Sequence, residues 1–187
     1  AGAGIFLGDG GALVDIEIDS QNIDFTGGSL TSLGGTIDVD ANTGAITTDA
    51  GTADDVITGT LLATAALGID LDTSVTSVTA NNSGTGVINF DELDGITLTS
   101  IVAANGSITI VAGGAITATN VVSSIDSDAN DISLTAAGGD IAVGTIDAGA
   151  TAGDVILIAG SSITDLDATD PDITADDLTL AALAGGI

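Results

Sequence analysis

The chain has 187 residues, of which 44% are apolar, a share typical of a folded domain rather than a disordered segment. It has 27 acidic residues, no Lys, Arg or His, and a net charge of −27, and it also lacks Cys, Met, Trp and Tyr. These absences argue against a nucleic-acid partner and an anionic membrane surface, which need Lys or Arg, and against zinc or iron–sulfur sites, which need His or Cys. No stretch approaches the roughly 20 continuous apolar residues of a membrane span, so we also expect no membrane insertion.

Two short acidic strands are the first regular elements after an ambiguous, Gly-rich beginning. They read "DIEID" at 15–19 and "IDVD" at 37–40. If the Ile and Val side chains point inward, alternation turns Glu17, Asp19, Asp38 and Asp40 outward, and one-rung stacking sets Glu17 over Asp38 and Asp19 over Asp40. Oxygen-only ligands suit Ca²⁺, so these four residues are a candidate calcium site. The alternative is an acidic face that keeps the protein soluble.

A short apolar phrase returns along the whole chain. Clear copies are "SITIVAGGAI" (107–116), "DISLTAAGGDI" (131–141), "DVILIAGSSI" (154–163) and "DLTLAALAGGI" (177–187). The gaps between successive first apolar residues are 21, 24, 26, 21, 24, 23 and 23 residues, for the series Ile16, Ile37, Leu61, Val87, Ile108, Ile132, Val155 and Leu178. A fixed period of this length indicates stacked repeats.

A longer repeat is superimposed on the short one. Residues 37–69 resemble residues 155–187 at a spacing of about 118, which equals five short periods. The two periodicities agree, so we interpret residues 1–187 as a single domain.

Each phrase is too short and too rich in β-branched residues for a helix, and Gly, Asn, Asp and Ser between the phrases are turn formers. A rung of this kind cannot bury a core alone, but stacked rungs can. The sequence therefore predicts an all-β fold, a right-handed parallel β-solenoid of about eight rungs with about 23 residues per rung. The alternative is a β-sandwich, which accounts for a 118-residue unit but not for the 23-residue period.

The segments "NGSITIVAGGAITATNVV", "NDISLTAAGGDIAVGTIDA" and "GDVILIAGSSITD" resemble the repeats of large secreted bacterial β-helix proteins, the filamentous-haemagglutinin-like exoproteins and adhesins. The resemblance covers roughly residues 54–187. It implies a right-handed β-helix, an extracellular or cell-surface location and a role in surface architecture or adhesion. It carries no catalytic residues.

A second acidic segment, "DLDATDPDITADD" at 165–177, interrupts the last rungs. It reads as an excursion from the rod, and Asp165, Asp167, Asp170 and Asp172 are a second candidate calcium cluster. The competing interpretation is that Asp forms turns here, as it does in many loops.

The last residues, "LTLAALAGGI", are apolar and show no cap, and the first nineteen show none either. An uncapped end exposes unpaired backbone. We therefore expect a structural protein, either the subunit of a head-to-tail filament or a repeat segment of a giant surface adhesin joined to flanking repeats. Alternatives are a calcium-dependent adhesive module and a carbohydrate-active β-helix enzyme. We expect no enzyme, because no His or Lys serves a nucleophile and no Trp or Tyr forms a sugar platform.

Overall fold

The fold is all-β and parallel. The structure is a computed structural model, and it describes residues 5–6, 15–48, 53–168 and 170–187. Within them, seventeen strands join one sheet. The strands are β1 (Ile5–Phe6), β2 (Ile16–Ser20), β3 (Ile23–Asp24), β4 (Leu30–Ala41), β5 (Ile46–Thr47), β6 (Val56–Ala65), β7 (Ile69–Thr85), β8 (Ile88–Glu92), β9 (Ile96–Asn105), β10 (Ile108–Ala112), β11 (Ile116–Ser123), β12 (Ile132–Ala136), β13 (Ile141–Asp147), β14 (Val155–Ala159), β15 (Ile163–Asp165), β16 (Ile173–Thr174) and β17 (Leu178–Ala182).

Inward-facing residues stack in register from rung to rung and form several columns, of which three are described in the following sentences. The first column contains Ile16, Ile37, Leu61, Val78, Leu98, Ala118 and Val143. The second contains Ile23, Ile46, Ile69, Ile88, Ile108, Ile132, Val155 and Leu178. The third contains Leu30, Val56, Thr73, Glu92, Ala112, Ala136, Ala159 and Ala182.

This arrangement confirms the predicted parallel β-solenoid. Strands of successive turns pair side by side, and there are about seven turns with about 22 residues in each. Most members of the three columns are completely buried and belong to one continuous hydrophobic core. The core exists because each rung covers the apolar face of its two neighbours, which is the energetic basis of solenoid folds.

The anchor series read from the sequence does not follow one column. Ile16, Ile37 and Leu61 lie in the first column, whereas Ile108, Ile132, Val155 and Leu178 lie in the second. Residues 37 and 155, which are 118 apart in the sequence, therefore occupy different columns. Val87, the anchor between the two groups, is 49% exposed, and its neighbour Ile88 points inward instead.

A short turn causes the change of column. Leu61 on β6 pairs with Val78 on β7, only 17 residues later. This turn of the solenoid is short because β7 runs as one strand through both Thr73 of the third column and Val78 of the first, with no loop between them. The period of about 23 residues read from the sequence therefore misses Val78. It continues instead at Val87, next to Ile88 of the second column.

Glycine forms the tight corner beside the second column. Gly86 has a φ of 142°, and a Cβ placed there would lie 2.3 Å from the carbonyl oxygen of Leu67 in the preceding turn. A side chain at Gly86 therefore meets both backbone strain and a backbone clash. This close approach lets successive corners stack at the spacing of the strands.

Candidate functional site: an open strand edge and two acidic clusters

A repeated side-chain contact ties each rung to the next, and we call it the rung cap. In each rung cap, an Asp or Asn lies one position before an inward-facing residue. On the following rung, the residue one position before the paired inward-facing residue donates its backbone N–H to the side-chain oxygen of that Asp or Asn. Six described pairs share this geometry, at 2.8–3.2 Å: Asp15 with Thr36, Asn22 with Ala45, Asp55 with Asp72, Asp131 with Asp154, Asp140 with Ser162, and Asp154 with Asp177.

All six caps point the same way, from the earlier rung to the later one. The contact gives an acceptor to a backbone N–H that lies one position before an inward-facing residue. In the Asp140 cap, the hydrogen bonds from Ser162 and Ser161 hold the pKa of the Asp140 carboxyl below its usual value. The turn-forming Asp and Asn residues of the sequence thus also join neighbouring rungs.

Strand β17 is an open edge of the solenoid. It pairs with β14 on one side, and within the described residues no strand lies on its other side. Its first residue, Leu178, is 48% exposed, although the paired Val155 is completely buried. Leu183 is 73% exposed, but its counterpart Leu93 on an internal rung is also 65% exposed. The last rung of the given sequence therefore differs from the internal rungs in exposing Leu178 beside an unpaired strand edge.

The backbone of β17 is ready to pair again. Val155 donates its N–H to the carbonyl oxygen of Asp177, so Asp177 and, by alternation, Thr179 direct their backbone groups toward β14. Leu178 and Leu180 then direct their N–H and C=O groups toward the open side. This geometry is a template for one more parallel strand.

Asp177 places a cap acceptor at the same edge. Its N–H donates to Asp154 as the last of the six caps, while its exposed carboxylate accepts no hydrogen bond from any described residue. The other end of that column of caps is Asn22, whose side chain accepts the N–H of Ala45. The backbone N–H of Asn22 has no acceptor within the described part of the chain. The rest of the predicted uncapped N-terminal end falls largely outside the described residues.

The first acidic cluster has the predicted register. Glu17 pairs with Asp38 and Asp19 with Asp40 on the adjacent strands β2 and β4. The Asn42 side-chain amide donates to Asp19, and Asp40 Oδ1 is buried with no hydrogen-bond partner among the described residues. The next rung places Leu62 and Thr64 at the same positions, so within the described residues the ladder of carboxylates is two rungs deep.

The second acidic cluster is tighter. Asp165, Asp167 and Asp172 each bring a carboxylate oxygen within 4.8 Å of the others, and no other described carboxylates converge in threes to this distance. Asp170, the fourth residue predicted here, lies outside that group but faces Asp172 closely enough to raise its pKa. The loop exists because Asp165 and Ile173 pair with Val143 and Ile146, so eight positions on one rung span three on the other.

Asp172 is the innermost of the three carboxylates. Its Oδ1 atom is buried without a hydrogen-bond partner, and burial, then Asp165, Asp170 and Asp167, raise the pKa of its carboxyl. Asp165 is oriented by the N–H of Asp167, which donates to its Oδ1 at 2.7 Å. Three carboxylates held together without a cation repel one another, and a divalent cation with oxygen ligands relieves that repulsion.

A buried carboxyl that the sequence did not point out lies inside the rod. Glu92 occupies the third column and is 1% exposed. Thr73 Oγ1 donates to it at 2.8 Å, and the N–H groups of Val75 and Asp94 donate at 3.0–3.3 Å. Burial raises the pKa of Glu92 to about 7 in spite of these donors, because the chain has no cation to compensate its charge. In the sequence, Glu92 follows Ile88 and Phe90 at alternate positions, and this pattern could have identified Glu92 as inward-facing.

The described residues contain no helix that is long and apolar enough to cross a membrane. No protein-family profile, no curated protein and no solved structure matches the chain.

Proposed function

We propose that this protein is an extracellular structural β-solenoid, either the subunit of a head-to-tail filament or a repeat segment of a giant surface adhesin. The observation that carries the proposal is the open edge at β17, where Leu178 is half exposed and unpaired backbone groups lie beside it. A further rung on this edge buries the apolar end and satisfies the backbone. Contacts of this head-to-tail type do not close on themselves and therefore produce fibres.

The charge distribution supports growth at the ends. With 27 acidic side chains and no Lys, Arg or His, the sides of two rods repel each other. The open edge by contrast exposes Leu178, whose counterparts in the second column are buried on every other described rung. End-to-end contact is then preferred over lateral association. The resemblance to secreted β-helix repeats supports the extracellular location, as does the lack of Lys and Arg, since trypsin-like proteases have no cleavage site.

The same edge also fits the flanking repeats of a longer chain, as in a giant surface adhesin. In that arrangement the next rung comes from the same polypeptide, and the isolated chain of 187 residues has no need to polymerise. The behaviour of the isolated chain therefore separates the two forms of the proposal.

Negative-stain electron microscopy of the isolated chain, in calcium chloride and in EDTA, tests the filament. We expect long uniform fibres in both buffers. The variant Leu178→Asp places a charge on the apolar end and is expected to abolish them. Its matched control, Thr179→Asp, adds the same charge one position along the strand on its exposed outer face, and is expected to keep them. Short rods of the wild type in both buffers would contradict the filament and leave the repeat segment.

A calcium-dependent adhesive module is the second candidate function. It is favoured by the convergence of Asp165, Asp167 and Asp172, with Asp172 Oδ1 buried and unpartnered at its centre. Carboxylate oxygens at this spacing can surround one Ca²⁺, while open coordination positions remain for an oxygen-rich surface. The less convergent group of Glu17, Asp19, Asp38 and Asp40 is a weaker site of the same chemistry.

Isothermal titration with calcium chloride tests this candidate. Asp172→Asn is expected to weaken binding at least tenfold, because it removes the central negative ligand. Asp176→Asn removes an equal charge four residues away, outside the cluster, and is expected to change the affinity little. Equal affinities of the two variants would mean that calcium binds nonspecifically to the acidic surface.

A further inference from the structure

We infer that Thr73 and Glu92 condense into an ester that joins two neighbouring rungs by a covalent bond. Both side chains point into the rod from the third column, on β7 and β8, where the two positions are paired in register. They are the only polar members of that column within the described residues, since the others are aliphatic. The bond lies within one chain, so it applies equally to a filament subunit and to a repeat segment.

The two reacting groups are already in contact. Thr73 Oγ1 donates a hydrogen bond to Glu92 Oε2 at 2.8 Å, and both side chains are shielded from water, with exposures of 0% and 1%. A hydroxyl and a carboxyl fixed side by side react as parts of one molecule, with effective molarities of about 10⁵–10⁸ M in well-oriented pairs. This value far exceeds the concentration of water, so condensation is favoured over hydrolysis in the buried position.

Two backbone N–H groups are directed at the other carboxyl oxygen of Glu92. Val75 and Asp94 donate to Glu92 Oε1 at 3.2 and 3.3 Å. Attack of a hydroxyl on the carboxyl carbon places negative charge on Oε1, and donors that are already aimed at a developing oxyanion lower the barrier of acyl transfer strongly. The two N–H groups therefore stabilise the intermediate of the condensation.

The surroundings keep the Glu92 carboxyl in its protonated form, which is the form that a hydroxyl attacks. Burial raises the pKa of Glu92 to about 7, and the carboxyl of Asp94 forms a hydrogen bond with it. Among the described residues, Asp94 is the titratable side chain that touches Glu92, while the strands on either side of β8 place Thr73 and Ala112 against it. The condensation therefore proceeds below about pH 7 and slows above it.

The step balances without any other reactant. A bond forms between Thr73 Oγ1 and Glu92 Cδ, and the bond from Cδ to Oε2 breaks. The hydroxyl proton of Thr73 moves along its existing hydrogen bond to Oε2, which leaves as water with the carboxyl proton. Val75 and Asp94 also line a surface groove, through which the water can leave. The freshly folded chain still has the free carboxyl and titrates with it, whereas the condensed chain does not.

Mass spectrometry of the intact chain, incubated at pH 5 and at pH 9, tests the bond. We expect a species lighter by one water molecule to accumulate at pH 5, and to accumulate about a hundredfold more slowly at pH 9, in proportion to the protonated fraction of Glu92. Thr73→Ser keeps the hydroxyl and is expected to form the light species, whereas Thr73→Val keeps the shape alone and is expected to form none. Thr58→Val is the matched control, because it removes another buried hydroxyl, which donates to the carbonyl oxygen of Gly35. It is expected to form the light species as the wild type does.

Peptide mapping identifies the bond. After digestion with pepsin, we expect the segments around Thr73 and Glu92 to appear as one cross-linked species, which hydroxylamine separates into two. A light species that persists in Thr73→Val would overturn the ester, because Asp94 precedes Gly95 and a cyclic imide at that pair also releases one water molecule. A wild type that keeps its full mass at pH 5 would overturn the ester as well.

Discussion

Strands β12 and β17 have the same pattern but different surroundings. Ile132 and Leu134 on β12 are completely buried, because β10 and β14 cover the strand from both sides. Leu178 on β17 is 48% exposed, because β14 covers one side alone. The difference shows that an inward-facing side chain in this protein is fully buried only where a neighbouring rung packs on each side of it. Mutations should therefore have very different effects in the two strands.

The largest contrast is expected for truncation of equivalent leucines. Leu134 and Leu180 lie in the middle of their strands and are separated by two rungs, with Leu157 between them. Leu134→Ala is expected to lower the free energy of unfolding by about 2–5 kcal/mol, the usual cost of a cavity in a packed core. Leu180→Ala is expected to cost less than half of that. Denaturant unfolding followed by circular dichroism, at a concentration below assembly, measures both, and equal losses would show that the open edge is packed like the interior.

A pH titration sharpens the contrast between interior and surface carboxyls. The folded pKa of Glu92, about 7, lies above its ordinary value of 4.5, so the folded state favours the protonated form. Its contribution is fully present below pH 4.5 and is lost as the pH rises through 7, by up to about 3 kcal/mol. Glu92→Gln is expected to remove this loss, so that the variant is more stable than the wild type at pH 8 and similar to it at pH 4.5.

Asp91→Asn is the matched control for that titration. It removes a carboxylate from the exposed neighbouring position of the same rung and leaves Glu92 buried. We expect it to retain the decline of stability between pH 4.5 and 7. The groups around Glu92 are the hydroxyl of Thr73, the N–H of Val75 and the carboxyl of Asp94, and none of them is a cation. A decline that persists in Glu92→Gln would assign the pH dependence to the surface carboxyls instead.

The smallest contrast is expected between internal and terminal rung caps. Asp154→Ala removes the acceptor for the N–H of Asp177 and is expected to cost about 1 kcal/mol. Asp177→Ala removes a side-chain acceptor to which no described residue donates, and is expected to change the stability little. Thermal unfolding of the dilute monomer compares them. A similar loss in both would mean that Asp177 stabilises its own rung.

The fold could be predicted because alternation and period are local features of the sequence. "DIEID" and "IDVD" set the pairing of Glu17 with Asp38, and the structure has that register. The columns could not be assigned across the turn from Leu61 to Val78, because β7 runs from Ile69 to Thr85 as one strand. No Gly, Asn or Pro marks the passage of this strand from Thr73 in the third column to Val78 in the first.

The sequence identified the acidic residues of the candidate site but not their arrangement in space. The acidic run indicated Asp165, Asp167 and Asp172, but the exclusion of Asp170 from the close group depends on how the loop folds between two paired strands. Asp177 was read as part of the same acidic run. Its position as the last acceptor of a column becomes visible only when the caps of the preceding rungs are known.

The stacking of short turns has a mechanical consequence. One rung adds about 4.8 Å to the length of the rod, but the roughly 22 residues of a turn span about 75 Å when the chain is pulled straight. Tension along the axis acts on the hydrogen bonds between rungs, which open one turn at a time from an end. Each opened turn becomes about fifteen times as long as the part of the rod that it occupied. Stepwise opening of turns under tension would therefore extend the protein and absorb mechanical work.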